Sequence, residues 1–437
     1  MSCLEGPRQA VPDFLGGVER VFNDAETMRP RAPGVTPAEA RNGARVKTQD
    51  VKPEGFYRPN YNFLTPNMRS PDYVQMSTAA AITLGVMSGY MHRTSCTRCL
   101  NLLLTYPEGC RANCAYCGLA RHREGECNYA DRNFIRVDWP AVPYDQVLDI
   151  VASGGDGGRF HRMCISMITH PRSDDDTRVV LRKWTERIKH VPVSILSNPT
   201  TMTRLDVQEL HDLGADIFTV ALDACNREVF DRTRGKGVQS PHSWNKYWEI
   251  LHAAKEIFGS EKFGAHLIVG MGESDRDVLR QVQAIRDLGG HSHMFAFFPE
   301  KGSLMDHLPP VPRPQWRRIQ LARYLIDYRA HRLEKMRFDE EGQLTDFGLP
   351  RDEIDEVIKA GTAFRTSGCP GKFAEDISAC DRPYGDSPPG NIASYPFKLK
   401  RDDIRKVRRQ LDKGMTGGCC SSDSSFRPSP KGEGRNP

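Results

Sequence analysis

The sequence predicts an α/β chain of parallel strands joined by helices, in the order of a partial or complete TIM-like (β/α) barrel, and three observations lead there. Six apolar runs of strand length recur at 100–106, 162–168, 191–197, 217–222, 263–269 and 293–298. Between and after them lie helical patterns at 145–152, 174–190, 205–213, 243–258, 275–288 and 314–336. Apolar runs that are continuous rather than alternating suit a parallel sheet buried on both faces, and strand–helix repeats of this spacing form right-handed units. At 437 residues the chain can hold one large barrel with appendages.

The flanks read differently. Residues 1–70 are rich in Pro, Arg, Asn and Gly without a sustained period, which predicts an irregular extension in which Cys3 is a spectator. Residues 71–99 predict a buried helix over 71–92 and then the pair Cys96 and Cys99. The barrel is expected over 100–335, and 336–412 forms a C-terminal region in which 336–348 is a candidate seventh strand. The tail 413–437, with Cys419 and Cys420, is Ser/Gly/Pro-rich and expected to be disordered.

Charge and cysteine usage narrow the class. With 61 basic and 56 acidic residues, a net charge of +5 and no long basic run, nucleic-acid binding is not indicated. Thirteen cysteines without a basic segment and apolar run at the N-terminus point to a reducing cytoplasm, where clustered thiols bind metal. The most apolar long window, 78–91, is too short to span a bilayer, so no membrane association is expected.

The chemistry-bearing stretch follows the first strand: Cys110, Cys114 and Cys117 at C-x3-C-x2-C spacing. Structural zinc takes four ligands, commonly as two separated C-x-x-C pairs, whereas a four-iron cluster held by three thiolates keeps one iron open. A zinc knuckle is the alternative. Polar groups stand where the other strands end: Ser166, Thr169 and His170; Ser197 and Asn198; Asp223 with Arg232 and Arg234 beyond it. In HLIVGMGESDRDV, Gly270 and Gly272 leave room for close backbone approach, while Glu273 and Ser274 start a helix whose positive end suits Asp275 and Asp277. Capping and surface ion pairing use the same residue types. A second set of thiols, Cys96, Cys99, Cys369 and Cys380, can meet where the first strand and the last element adjoin, supplying up to four ligands for an auxiliary cluster. Ser367 or Arg382 could replace a missing one. Zinc or free thiols remain open there. Cys127, Cys164 and Cys225 read as isolated structural cysteines.

The C-x3-C-x-aromatic-C pattern, with Tyr116 before the last cysteine, resembles the signature of the radical S-adenosylmethionine (radical SAM) superfamily. The resemblance implies a barrel of radical SAM type and a 4Fe-4S cluster with one open iron on Cys110, Cys114 and Cys117. It also implies S-adenosylmethionine bound near Tyr116, Ser166, Asn198, Asp223, Arg234, Gly270 and Gly272. In that superfamily an aspartate can accept from the ribose and an arginine can clamp the methionine carboxylate. The glycine-glycine-glutamate motif common there is absent, and His266 replaces the first glycine of the fifth-strand motif. The runs CLNLLLTYPEGCRANCAYCGLA, TSGCPG and CDRPYGDSPPG with NIASYPF look like the two-protein type of lipoyl synthase, in the biotin synthase branch, over 79–411. This implies sulfur insertion into a protein-bound octanoyl chain, with a second 4Fe-4S cluster as sulfur donor. The implied partners are a lipoyl-carrier protein bearing octanoyl-lysine, a second homologous radical SAM protein and an electron donor. The alternatives are a biotin-synthase-like reaction on a free small molecule and a noncatalytic iron–sulfur scaffold.

Overall fold

The structure, a computed structural model, describes residues 67–123, 137–373 and 378–415. The expected extension up to residue 66, the tail beyond 415, and Cys3, Cys127, Cys419 and Cys420 lie outside the described residues.

In chain order the first elements are β1 (Tyr73–Met76), α1 (Thr78–Leu84), β2 (Cys99–Leu104), β3 (Ala141–Pro143) and α2 (Tyr144–Ala152). The strand–helix alternation follows: β4 (Arg162–Ser166), α3 (Ser173–Arg187), β5 (Val193–Ser197), α4 (Arg204–Asp212), β6 (Ala215–Asp223), α5 (Arg227–Thr233), α6 (Trp244–Phe258), β7 (Phe263–Val269), α7 (Asp275–Asp287), β8 (His291–Ala296) and α8 (Arg313–Arg329). Then come β9 (Arg337–Phe338), β10 (Leu344–Asp346), α9 (Arg351–Ala360) and α10 (Arg401–Met415).

The main sheet has eight strands in the order β3-β1-β2-β4-β5-β6-β7-β8. From β2 to β8 every pairing is parallel, while β1 runs antiparallel to both β2 and β3. The six expected strands are the six parallel ones, and β2 is buried along its whole length, as a run covered on both faces must be. The fold is thus α/β with a mostly parallel eight-stranded sheet, the arrangement of a partial TIM-like barrel. Among the described residues no helix is long and apolar enough to cross a membrane.

Two elements differ from the sequence expectation. The helix expected over 71–92 is a strand followed by a short helix. Tyr73–Met76 pairs with β2 on one side and β3 on the other, which the aromatic and β-branched start of the segment favours. Ser77 caps α1 by accepting from Ala80 N, and Gly85, at φ 83°, ends it in a left-handed turn. The expected seventh barrel strand at 336–348 is instead a hairpin of its own, β9 with β10. Its turn is held by Asp339, whose Oδ1 accepts from Gln343 N at 2.7 Å, so its backbone groups are satisfied locally.

The edge strand β8 is not left bare. Ser367 Oγ accepts from Met294 N at 2.7 Å and Arg382 Nη2 donates to Met294 O at 3.2 Å. From there the C-terminal segment reaches the start of β2, where Arg98 donates its backbone N–H to Asp381 Oδ1 at 3.2 Å and Nη2 to Ser378 O at 3.0 Å. Outside the sheet, α8 packs against α7 and α10. Asp275, in the first turn of α7 as expected, is buried. It accepts from Arg318 Nε at 2.9 Å, Gln315 Nε2 at 3.1 Å and Leu344 N at 3.0 Å, tying α7 to α8 and the hairpin. Arg318→Met strands that carboxylate in the interior, and urea unfolding is expected to show a loss of about 3–5 kcal/mol.

Candidate active site

Cys110, Cys114 and Cys117 lie in the loop that leaves the C-terminal end of β2, and all three line one cavity that opens to solvent. Two of the sulfurs accept backbone hydrogen bonds within the loop: Ala112 N donates to Cys110 Sγ at 3.4 Å and Leu119 N to Cys117 Sγ at 3.4 Å. Arg234 Nη1 stands 3.7 Å from Cys114 Sγ. Burial pushes the Cys114 thiol up to about 11, against the opposing pull of Arg234, and burial likewise raises Cys117. Thiols so buried become good ligands when a bound cation compensates their charge, and the N–H donors suit sulfur that carries negative charge. The three residues therefore fit the cluster that their spacing suggests.

Arg234 organises the wall beside them. Its Nη1 donates to Tyr116 Oη at 2.6 Å and to Asp223, and its Nη2 donates to Asn198 Oδ1 and, at 3.0 Å, to Tyr247 Oη. Tyr116 Oη donates to Asp223 Oδ2 at 2.5 Å, and Asn198 Nδ2 to Met167 O at 2.6 Å. Asp223 adopts φ 61°, a strained conformation for a residue with a side chain, at the end of β6. Arg234, one of the two arginines beyond β6, is thus held inside this network. Both terminal nitrogens are already engaged, and only Nε is buried without a partner. Thr169 Oγ1 and Arg382 Nη1, on residues that line the cavity, are likewise buried without a partner.

The other predicted residues separate into those at the cavity and those away from it. Tyr116, Ser166, Asn198, Asp223 and Arg234 all line it. Gly270 and Gly272 do not. A Cβ on Gly270 would come within 2.8 Å of Val311 Cβ, and one on Gly272 within 2.9 Å of Arg232 Nη2, so these glycines, at φ 110° and 104°, serve a tight turn packed on protein. Glu273 braces that turn by accepting from Gly270 N at 2.5 Å and Met271 N at 3.0 Å, and Ser274 caps α7. Arg232 donates to Met271 O at 3.0 Å, and His170 stacks on Tyr106.

The second thiol set forms with one exchange of membership. Cys99, Cys164 and Cys380 pack together, and Cys369 lies within electrostatic reach of all three. Cys96, expected in the set, is disulfide-bonded and stands outside it; Cys164, expected to be an isolated structural cysteine, takes its place. Strand pleat gives the reason: residue 99 heads β2 and points inward, as does Asn101, whose register partner is Cys164 on β4. Asn101 Nδ2 donates to Cys99 Sγ at 3.3 Å and Cys380 Sγ at 3.4 Å. Burial, followed by the hydrogen bond to Cys380, raises Cys99, and the same hydrogen bond lowers Cys380 to about 6. Cys164 and Cys380 line the same cavity as Cys110, Cys114 and Cys117. Ser367, considered as a substitute ligand, is engaged with the β8 backbone. Among the described residues no group of three or more His, Cys, Asp or Glu side chains stands already gathered for a single metal ion. A cubane cluster, whose thiolates each bind a different iron, asks for wider spacing.

Sequence reasoning also missed His266 and Asn101 as cavity residues. Each is a polar residue within an otherwise apolar buried strand, and that anomaly was the available signal. His266 stacks edge-on to His293 with ring centroids 5.2 Å apart and lies 5.1 Å from the Phe295 ring, over which Arg382 sits at 3.7 Å.

Residues 104–285 match the family model of the Radical SAM superfamily, a span that holds the first thiol set, Cys164 and Asp223. No curated protein matches the chain. Among solved structures it is similar to methylornithine synthase, at 13% identity and TM-score 0.38, covering 53% of this chain and 60% of that one. It is also similar to the FeFe-hydrogenase maturase HydG from Carboxydothermus hydrogenoformans, at 15% identity and TM-score 0.39, covering 57% and 55%. A third is the radical S-adenosylmethionine methyltransferase TsrM from Kitasatospora setae, at 15% identity and TM-score 0.33, covering 49% and 39%. The chain thus spans less than two thirds of the length of each, and likeness at this level carries no substrate across.

Burial, with Arg382 nearby, lowers His266 from 6.5 to about 3. The neutral imidazole is favoured in the fold, so its share of stability is complete above pH 6.5 and is lost as pH falls toward 3. His266→Phe is expected to shrink the difference in urea-unfolding free energy between pH 7 and pH 5 by about 1–2 kcal/mol. An unchanged difference would show that His266 titrates normally.

Proposed function

Starting from a Radical SAM superfamily domain over residues 104–285, we propose that this enzyme inserts sulfur into a protein-bound octanoyl chain as one component of a two-protein lipoyl synthase. Family likeness reaches the superfamily. The finer reading is supported by one observation above others: a single cavity is lined by the Cys110, Cys114 and Cys117 loop and by Cys164 and Cys380 of a second thiol set. Its partners on this reading are a lipoyl-carrier protein bearing octanoyl-lysine, a second homologous radical SAM protein and an electron donor.

Breaking an unactivated methylene C–H bond lies beyond acid–base chemistry. Cys110, Cys114 and Cys117 would hold one cluster and the second thiol set another, and these would supply an electron for the reductive cleavage of S-adenosylmethionine and sulfur for the substrate carbon. The protein's own part is holding and shielding. Asp223 offers its carboxylate and Asn198 its amide at the ends of neighbouring strands, both fixed by Arg234. Met167, Ile168, Leu196, Ile268, Phe295 and Phe297 give the cavity an apolar lining suited to an alkyl chain and to the exclusion of water.

One observation favours a second reading. The buried, unpartnered Arg382 Nη1 offers a positive charge that an octanoyl amide does not need but a free carboxylate substrate would use. The same enzyme would then act on a free small molecule, as biotin-synthase-like enzymes do. Deoxyadenosine formed only with the octanoylated carrier supports the first reading, and turnover with a free acid alone supports the second.

After anaerobic reconstitution the wild type is expected to hold about eight irons, and the Cys110/Cys114/Cys117 triple alanine variant about four, on cubane stoichiometry. Cys164→Ala and Cys369→Ala should keep deoxyadenosine production yet lose sulfur transfer, whereas Cys114→Ala loses both. A wild type with only about four irons removes the sulfur donor and overturns the proposal.

A further inference from the structure

One side of the cavity is not made of strand. Among the described residues β8 has no sheet neighbour beyond β7, and the space between it and the start of β2 is crossed by residues 366–373 and 378–387. This wall hangs from both rims by polar contacts: Ser367 and Arg382 on Met294, Asp381 and Ser378 on Arg98, Pro370 O on Arg162, and Tyr384 Oη on His92 O at 2.7 Å. It has little apolar surface to bury. Of the two large rings in its described stretches, TSGCPGKF and SACDRPYGDS, Tyr384 is buried and Phe373 is half exposed. A few hydrogen bonds, each of small net worth, set against the entropy of ordering such a stretch leave the wall weakly held by polar contacts alone.

The thiols change that balance. Cys369 and Cys380 sit on the wall, while Cys99 and Cys164 belong to β2 and β4 of the barrel. The two wall stretches lie against each other here, a Cβ on Gly368 meeting Cys380 Cβ at 2.6 Å, and Cys380 in turn packs on Cys99 and Cys164 of the barrel. We infer that a soft-metal centre held by Cys99, Cys164, Cys369 and Cys380 is the fastener of this wall, so that the cavity is closed on the β8 side only while that centre is intact. The inference rests on the reading that the second thiol set binds metal, and deepens it: the centre that donates to the substrate also holds shut the chamber in which the substrate lies. Binding energy at a site whose ligands come from separate segments is folding energy for the segment that brings them.

The test uses the full-length Cys110/Cys114/Cys117 triple alanine variant, reconstituted with iron and sulfide so that only the second site is loaded, and compares amide hydrogen exchange before and after chelation. Peptides from 366–373 and 378–387 are expected to exchange about tenfold or more faster once the metal is removed, while β5 and β6 peptides stay unchanged. Cys164→Ala in the same background should show the fast pattern without chelation. Cys225→Ala, a buried thiol outside the set, should keep the slow one. Metal content that is the same with and without Cys164 overturns the metal-site reading itself. Metal lost with no change in exchange of the wall leaves that reading standing and overturns the fastener.

Discussion

In parallel strands every second side chain faces the same way, and six such strands side by side aim their inward positions into one interior. That constraint builds the site. Asn101 on β2 stands level with Cys164 on β4, and Ser166, Leu196, Ala221, Asp223, His266 and Ile268 look into the same chamber from successive strands. The thiol loop follows the C-terminal end of β2, where barrel enzymes keep their chemistry, while the second thiol set starts from the first residue of the same strand. One strand therefore links the two sets, with Cys99 at its start and the thiol loop beyond its end.

Charge inside this interior is managed by a few arginines with many partners. Arg234 would be costly to bury alone, but Asp223, Tyr116, Asn198 and Tyr247 surround it. The neighbouring His242 is held well below its ordinary range by burial and by that guanidinium, so the positive charge stays at one place. Arg162 plays the corresponding part near the second set, with Asp216 on one side and the carbonyl of Pro370 on the other.

The parallel strands and the first thiol set were legible because their signals are local: continuous apolar runs separated by helical periods, and three cysteines within eight residues. The β1–α1 segment was not, since STAAAITL reads as helix while the preceding YVQM becomes a strand only by pairing with β2 and β3, elements distant in sequence. Cys164 failed for a related reason. Alone in its strand it looks like any buried cysteine, and its meeting with Cys99 follows from inter-strand register, with Cys380 from the path of the C-terminal segment. Between Cys96 and Cys99 the sequence offered no basis for choice; in the structure Cys99 heads β2, while Cys96 lies before the strand and is disulfide-bonded. Gly270 and Gly272 were misread because a tight turn and a ligand-accommodating loop ask for the same residue.

The second thiol set draws its members from residues 99, 164, 369 and 380, and the last of these comes near the end of the described chain. During synthesis the barrel strands and the Cys110–Cys117 loop emerge long before Cys380 does. Domains begin to fold as they leave the ribosome, so a nascent chain can present the first set in a nearly complete barrel while the second still lacks half its ligands. On the proposed reading the order of loading follows the order of translation: the first centre can be filled on a growing chain, and the second only once Cys380 has emerged.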